Sequence, residues 1–316
     1  MVDDSLPVLG SDVCREAFLE KAPWLKRKEL VISASEVPSL FAAEIAQCEE
    51  PAPFMSEFEL YARKIGALSD PVNETSRMRL GSRFEAGIAD EYAQITKQRI
   101  VAPGPTAYTL FSNTRLPHLA ATPDRFVLLP SGWGALEVKL TRSAWEQLPL
   151  RVQLQVQTQL AVLTMAEGRV AACVASEEVL PFEVPADAEL AAMIVERVTL
   201  FWKRVEAREP PEPVAADREV VRKLWPRNAP GKQIALGEGY ETALEFYELC
   251  CEREKAAKES KDTALAQITA QMQEAEIAVL PSGRRVQWKV EPRKGYEVKA
   301  SEPRVFRVLA NNKENK

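Results

Sequence analysis

Asp124, preceded by Pro123, and the pair Glu137 and Lys139 are the residues of this chain whose types and spacing could do chemistry. Glu137 and Lys139 lie two apart in ALEVKLT (135–141), and side chains two apart on a strand project to the same face. Asp124, thirteen positions before Glu137, can meet them across a hairpin whose turn falls at SGWG (131–134). Two carboxylates are hard oxygen ligands for Mg²⁺, a cation that keeps several waters and accepts phosphate oxygens. Such a cation polarises a phosphodiester and lowers the pKa of bound water. A lysine beside it can hold or help deprotonate that water and offset negative charge in the transition state. An E-x-K pair is also common on solvated strand faces, where it does no chemistry. The surrounding elements must therefore decide.

Residues 1 to about 30 read as short helices, with Trp24 and a basic cluster Lys26, Arg27 and Lys28. Ser35 in SASEVPSLFAAEIA (33–46) is a candidate N-cap for a helix beginning near Glu36. Leu80, Phe84, Ile88, Tyr92 and Ile95 recur on one face of a helix over 78–96. Strand signals follow at 106–111 and in HLAATPDRFVLLP (118–130), with turn chemistry at PSGWG. A helix over 148–166, a strand over 169–176 and a helix over 187–208 complete this part. Residues 208–217 hold three prolines in ten and read as a linker. The expected division is a first domain, 1–212, and an extension, 213–316, with a helix over 240–276 and strands within 278–290 and 297–309.

The 316 residues are 46% hydrophobic and 28% charged, an ordinary globular composition. No apolar run approaches the roughly 18 residues needed to cross a bilayer, and the acidic N-terminus lacks a signal peptide's basic and apolar regions. A cytoplasmic protein without membrane contact is expected. Five scattered cysteines argue for reduced thiols rather than a disulfide framework, zinc or an iron–sulfur cluster. A single histidine, His118, excludes two-His zinc motifs; a capping or packing role suits it better than DNA contact. The net charge of -5 opposes nucleic-acid binding, yet charge is unevenly placed. Residues 284–316 carry ten Lys/Arg against four Asp/Glu, whereas 226–283 carry six against ten. The basic end, with Trp288, Tyr296 and Phe306, is a possible DNA surface.

Four blocks in order resemble the phage-type alkaline exonucleases, the lambda-exonuclease-like or YqaJ-like viral recombinase family of PD-(D/E)XK nucleases. They are APWLKRKELVISASEV (22–37), RLGSRFEAGIADEYA (79–93) with Gly81 and Glu85, ATPDRFVLL with GALEVKL, and LQVQTQLAV (154–162). The resemblance spans residues 22–208 and implies an α/β (α+β) fold. Its restriction-endonuclease-like core would be a central mixed sheet flanked by helices, with a helical and β-hairpin appendage. It implies Asp124 and Glu137 as metal ligands with the Val138 carbonyl, Lys139 as catalytic lysine, and Glu85 acting directly or through water. It implies further that Gln155 and Gln157 lie beside the active site, and that Ser35 and Lys28 bind the 5′-phosphate of a DNA end. From the residues alone, Ser35 as a phosphate contact and Ser35 as a plain cap stand level. Arg125 stands where the family has glycine, as either a backbone constraint or a DNA contact. Lys28 stands near a family arginine, which gives up bidentate phosphate binding.

The resemblance implies a Mg²⁺-dependent 5′-to-3′ exonuclease on linear double-stranded DNA, for which Mn²⁺ can substitute. Single-stranded product would pass to a single-strand annealing protein in phage-type recombination. A homo-oligomer, a trimeric ring, is expected by analogy. Alternatives are an endonuclease, a nuclease of other polarity, or a catalytically silent DNA-binding or assembly protein with the same fold.

Overall fold

Pro123 splits what the sequence suggests is one strand. Pairing over Leu116–Ala121 stops before it and resumes over Arg125–Leu129 in a different sheet. A proline has no N–H for the ladder, so the chain leaves one sheet, bends and enters the next. Asp124 sits in that bend rather than within a strand.

The computed structural model describes residues 6–68, 76–175, 177–292 and 305–308. The elements are, in order, β1 (Val13–Phe18), α1 (Lys21–Lys28), β2 (Ile32–Ser33), a 3-10 turn Val37–Phe41, α2 (Ala42–Gln47), α3 (Glu57–Lys64) and α4 (Ser76–Thr96). Then come β3 (Ile100–Val101), β4 (Tyr108–Asn113), β5 (Leu116–Ala121), β6 (Arg125–Leu129), β7 (Gly132–Thr141) and α5 (Leu150–Leu163). They are followed by β8 (Glu167–Val174), β9 (Glu178–Pro185), α6 (Ala188–Ala207) and α7 (Arg218–Leu224). The remainder holds α8 (Gly239–Met272), β10 (Ile277–Val279) and β11 (Arg285–Gln287). No described helix is long and apolar enough to cross a membrane.

The first compact unit runs to Trp225 and the second from Pro226. The expected boundary at 212/213 falls earlier because α7 packs with the first unit. Asp217, 1% exposed, accepts from the Ser56 hydroxyl and the Val214 N–H, and Val220 packs on Phe58 and Ala62.

The first unit has two sheets, ordered β1-β4-β5-β2 and β3-β6-β7-β8-β9. In the second, β6 and β7 are antiparallel, β7 and β8 parallel, and β8 and β9 antiparallel. This mixed sheet flanked by helices is the fold expected. The crossover between the parallel strands is α5, as a parallel connection requires. α5 is buried on most sides: Val152, Leu154, Val156, Leu160, Val162 and Leu163 pack with Phe111 and Leu119 of the first sheet and Phe126, Ala135 and Val170 of the second. Truncating such a side chain to alanine costs about 2–5 kcal/mol. Gly168 permits the close approach of helix to sheet: a Cβ there would stand 2.9 Å from the Ala135 carbonyl oxygen and 3.2 Å from Val156.

Other expectations are corrected here. Residues 13–18 are a strand, not helix, because VCREAF pairs in register with β4. Ser35 caps nothing: it is exposed, and the 3-10 turn begins after Glu36 without a side-chain cap. On α4, Ile88 and Tyr92 are buried, whereas Leu80, Phe84 and Ile95 are each about half exposed. Strand β9 has no counterpart in the sequence reading; Pro181 and Pro185 are tolerated because it is an edge strand. In the second unit the expected strand at 278–290 is the hairpin β10–β11, turning near Gly283 at φ 81. The expected strand at 297–309 lies outside the described residues apart from 305–308.

Candidate active site

The β6–β7 register places the site. Arg125 pairs with Leu136 and Leu129 with Gly132, so the turn is the two residues Pro130 and Ser131 rather than SGWG. Continuing the register one step sets Asp124 opposite Glu137. The Asp124 carboxylate takes up the ladder where the β6 backbone stops: its Oδ2 accepts the Val138 N–H at 2.7 Å. A side chain bonded to the neighbouring strand is fixed by the sheet itself.

Glu137, 4% exposed, is held on both oxygens. Its Oε1 accepts from Lys139 Nζ at 2.7 Å and Gln155 Nε2 at 2.6 Å, and its Oε2 accepts from Gln159 Nε2 at 2.7 Å. Lys139 Nζ also donates to Gln155 Oε1 at 2.8 Å, closing a three-residue ring of hydrogen bonds. Strand alternation brings Glu137 and Lys139 to one face, and the crossover helix lays Gln155 and Gln159 over them. Gln159 is the site residue that the sequence reading missed. Residues four apart share a helix face, whereas residues two apart point nearly opposite ways. Gln157 accordingly faces elsewhere: its Nε2 donates to the Pro185 carbonyl at 2.7 Å and its Oε1 accepts the Asp187 N–H at 2.9 Å. It pins the β9–α6 corner.

Glu85, from α4, reaches the site through Arg125. Arg125 Nη1 lies 3.0 Å from Glu85 Oε1 and 2.5 Å from the Asp124 carbonyl oxygen. Arg125 thus constrains the backbone at Asp124 and ties α4 to the bend. Nothing crowds Gly81 within 4 Å, so close packing does not explain the glycine there.

Desolvation pushes the Asp124 carboxyl well above the usual carboxylate range, reinforced by the negative charges of Glu137 and Glu85; Lys139 and the Val138 N–H oppose this only in part. Three carboxylates, Asp124, Glu137 and Glu85, gather at this bend against two cations, Lys139 and Arg125. That is the condition a divalent cation relieves, and an all-oxygen donor set suits Mg²⁺. Among the described residues no group of three His, Cys, Asp or Glu side chains stands close enough to hold a metal by itself. The oxygen donors here whose chemistry would suit such a cation are the Asp124 and Glu137 carboxylates, with the Glu85 carboxylate tied to the same bend by Arg125.

A cavity of about 320 Å³ adjoins this cluster, lined by Lys139, Gln155, Ser35, Arg151, Trp145 and the proline-rich 51–54 segment among others. The structure thus brings Ser35 to the same cavity as Lys139 and Gln155. A buried network positions its segment. Glu36 Oε2 accepts the Ser33 N–H and hydroxyl, each at 2.7 Å, and Lys64 Nζ lies 2.9 Å from Glu36 Oε1 and 2.8 Å from the Lys28 carbonyl. Burial opposes ionisation of Glu36, but the charges of Lys64 and Lys28 and the hydrogen bonds from Lys64 and Ser33 outweigh it and lower its pKa. Lys28 itself lies over the Trp24 ring at 4.6 Å from the centroid. His118 stacks on Trp202 at 4.9 Å, the packing role expected of it.

Residues 23–167, the stretch that carries the site, match the model of the YqaJ-like viral recombinase domain, the same likeness that the sequence motifs carry. Among solved structures, the chain is similar to an alkaline exonuclease (LHK-Exo) from Laribacter hongkongensis at 17% identity and a TM-score of 0.44, covering 60% of this chain and 94% of that one. LHK-Exo in complex with dAMP matches at 15% identity and a TM-score of 0.45, covering 64% and 99%. The structure of SSO0001 matches at 13% and 0.33, covering 67% and 96%. No curated protein matches the chain.

Proposed function

We propose that this chain is a Mg²⁺-dependent nuclease that degrades one strand of linear double-stranded DNA from its 5′ end. The observation that carries the reading is the clustering of Asp124, Glu137, Lys139 and Gln155 at the β6–β7 bend, where Lys139 and Gln155 line a cavity together with Ser35. The YqaJ-like domain supports a nuclease of that family. Asp124, Glu137 and the Val138 carbonyl would hold the metal, which would supply polarisation of the scissile phosphate and a more acidic water.

The protein's own groups do the rest. Lys139 has three N–H donors; two are engaged by Glu137 and Gln155. The third is available to the attacking water or to a phosphate oxygen, where positive charge stabilises the transition state. Gln155 fixes the lysine in place, and Arg125 holds Glu85 against the bend. Ser35, on the segment that Glu36 and Lys64 brace, takes the 5′-phosphate together with Lys28, so the enzyme measures from the end. By the same reading the single-stranded product goes to an annealing protein, the active assembly is a ring of three chains, Mn²⁺ replaces Mg²⁺, and the enzyme works in the cytoplasm.

The test is purified protein with Mg²⁺ on linear duplex bearing 5′-phosphate or 5′-hydroxyl ends, beside covalently closed circles. The expected result is mononucleotide release from 5′ ends, faster with phosphate, and intact circles. Digestion of circles contradicts end dependence. Equal rates on the two ends, or equal loss of rate in Ser35→Ala on both, contradict the phosphate site.

A further inference from the structure

Helix α8 runs 34 residues, about 51 Å at 1.5 Å per residue, and Met272 is its one buried residue among those described. Helices in proteins owe most of their stability to packing of an apolar face. Tyr240, Leu265 and Ile268 are 62%, 56% and 45% exposed, so such a face exists and is largely uncovered. Phe306 meets Tyr247 edge-on at 5.3 Å between centroids, yet Tyr247 keeps 46% of its surface exposed.

The spacing of this face identifies its partner. Tyr240, Leu244, Tyr247, Cys251, Glu254, Lys258, Lys261, Leu265, Ile268 and Met272 follow one another at alternating steps of four and three, the seam of a heptad repeat. The seam is apolar at both ends and charged in the middle, and it is a near-palindrome about Ala256. Laid antiparallel on a second copy, Leu244 layers with the other copy's Ile268, Tyr247 with Leu265, and Cys251 with Lys261, while Glu254 meets Lys258 twice across the dyad. Tyr240 and Met272 continue the spacing, although Met272 is already buried in its own unit. A parallel pair would instead set Glu254, Lys258 and Lys261 each against its own like charge, which costs heavily in a desolvated seam. Ala243, Cys250, Ala257 and Ala264 flank one side at seven-residue intervals, and small side chains there let the two backbones approach. Phe246 and Leu249 are exposed off this stripe and take no part.

We infer that α8 is a homotypic docking element that joins two copies of this chain as an antiparallel coiled coil centred on Ala256. The inference does not depend on the nuclease reading, since all its residues lie in the second unit.

Light scattering coupled to gel filtration on the full chain tests it, with nuclease activity assayed separately on the same samples. Wild type is expected at an even multiple of 35.3 kDa, six chains where two three-chain rings join through α8 and two where no ring forms. Glu254→Lys or Lys258→Glu creates two like-charge pairs at the dyad and weakens association by roughly a hundredfold or more, halving the mass at working concentration. The double exchange Glu254→Lys with Lys258→Glu restores it, an outcome that misfolding does not mimic. Mild oxidation of Lys261→Cys yields a covalent dimer that Cys251→Ser abolishes. Cys251 alone yields none, because its two copies lie about 15 Å apart along the pair, ten residues at the helical rise. A monomeric wild type, a mass unmoved by the single exchanges, a failed double exchange or a Cys251–Cys251 cross-link overturns the inference.

Discussion

Replacing Gln159 by leucine separates the residues that serve the site from those that serve the fold. Gln159 is fully buried and gives Glu137 Oε2 its hydrogen bond at 2.7 Å, while Gln155 and Lys139 serve Oε1. A hydrogen bond to a charged group contributes about 1.5–3 kcal/mol. Its loss leaves one oxygen of Glu137 unheld and the carboxylate freer to turn, so Mg²⁺ affinity falls by roughly 10- to 100-fold, the usual range for a group that orients a ligand. Folding stability changes less, because the Gln159 Oε1 is a buried acceptor without a partner and leucine removes that cost as well. Gln157→Leu is the control. It leaves the Asp187 N–H and the Pro185 carbonyl without their partners and lowers stability, at about 1–3 kcal/mol for each group left unmade, without altering Mg²⁺ dependence. The assay is half-saturating Mg²⁺ for cleavage and, separately, Mg²⁺-induced rise in thermal midpoint. A Gln159→Leu protein with wild-type Mg²⁺ dependence, or a Gln157→Leu protein with the larger shift, refutes the assignment of these glutamines.

Further outcomes follow from the charged networks. Lys64→Met leaves Glu36 buried without its closest cation and is expected to cost about 3–5 kcal/mol, measured by denaturant unfolding at neutral pH. Because the Glu36 pKa is depressed in the folded state, its stabilisation is present above the ordinary carboxylate pKa and lost as pH falls through the depressed value; Glu36→Gln should flatten that part of the acid melting profile. The Asp124 pKa is raised before metal binds, so protons compete with Mg²⁺. Apparent Mg²⁺ affinity, read by thermal shift, should rise with pH up to that raised value and then level off, and Asp124→Asn should abolish the dependence. A Mg²⁺ affinity flat across the acid range contradicts the charge balance described for the site.

Much of this site was legible in the sequence because its key residues obey local periodicities. Glu137 and Lys139 share a face by strand alternation, whereas the break at Pro123 that frees Asp124 lay inside what reads as one strand. What was not legible depends on partners distant in sequence. Gln157 reads as the equal of Gln155 in a QVQ motif, but the helical turn sends it away and brings in Gln159. Ser35 reads as a helix cap, yet the segment is held by the Glu36 carboxylate, which accepts from Ser33 and is braced by Lys64 from 28 positions on. Arg125 leaves two readings open in the sequence, and its contacts with Glu85 and the Asp124 carbonyl favour the backbone constraint. Strand β1 carries a weak pattern of its own and exists because β4 pairs with it. The edge strand β9 was hidden by its two prolines, which an edge tolerates and a central strand does not.

The most direct test of the central claim compares wild type with Lys139→Ala on 5′-labelled linear duplex at saturating Mg²⁺, with Mg²⁺ binding followed by thermal shift on both. The account expects label release by wild type, a loss of at least about a hundredfold in the variant, and Mg²⁺ binding retained through Asp124 and Glu137. Undiminished cleavage by Lys139→Ala, or an inert wild type that nevertheless binds Mg²⁺, would contradict it.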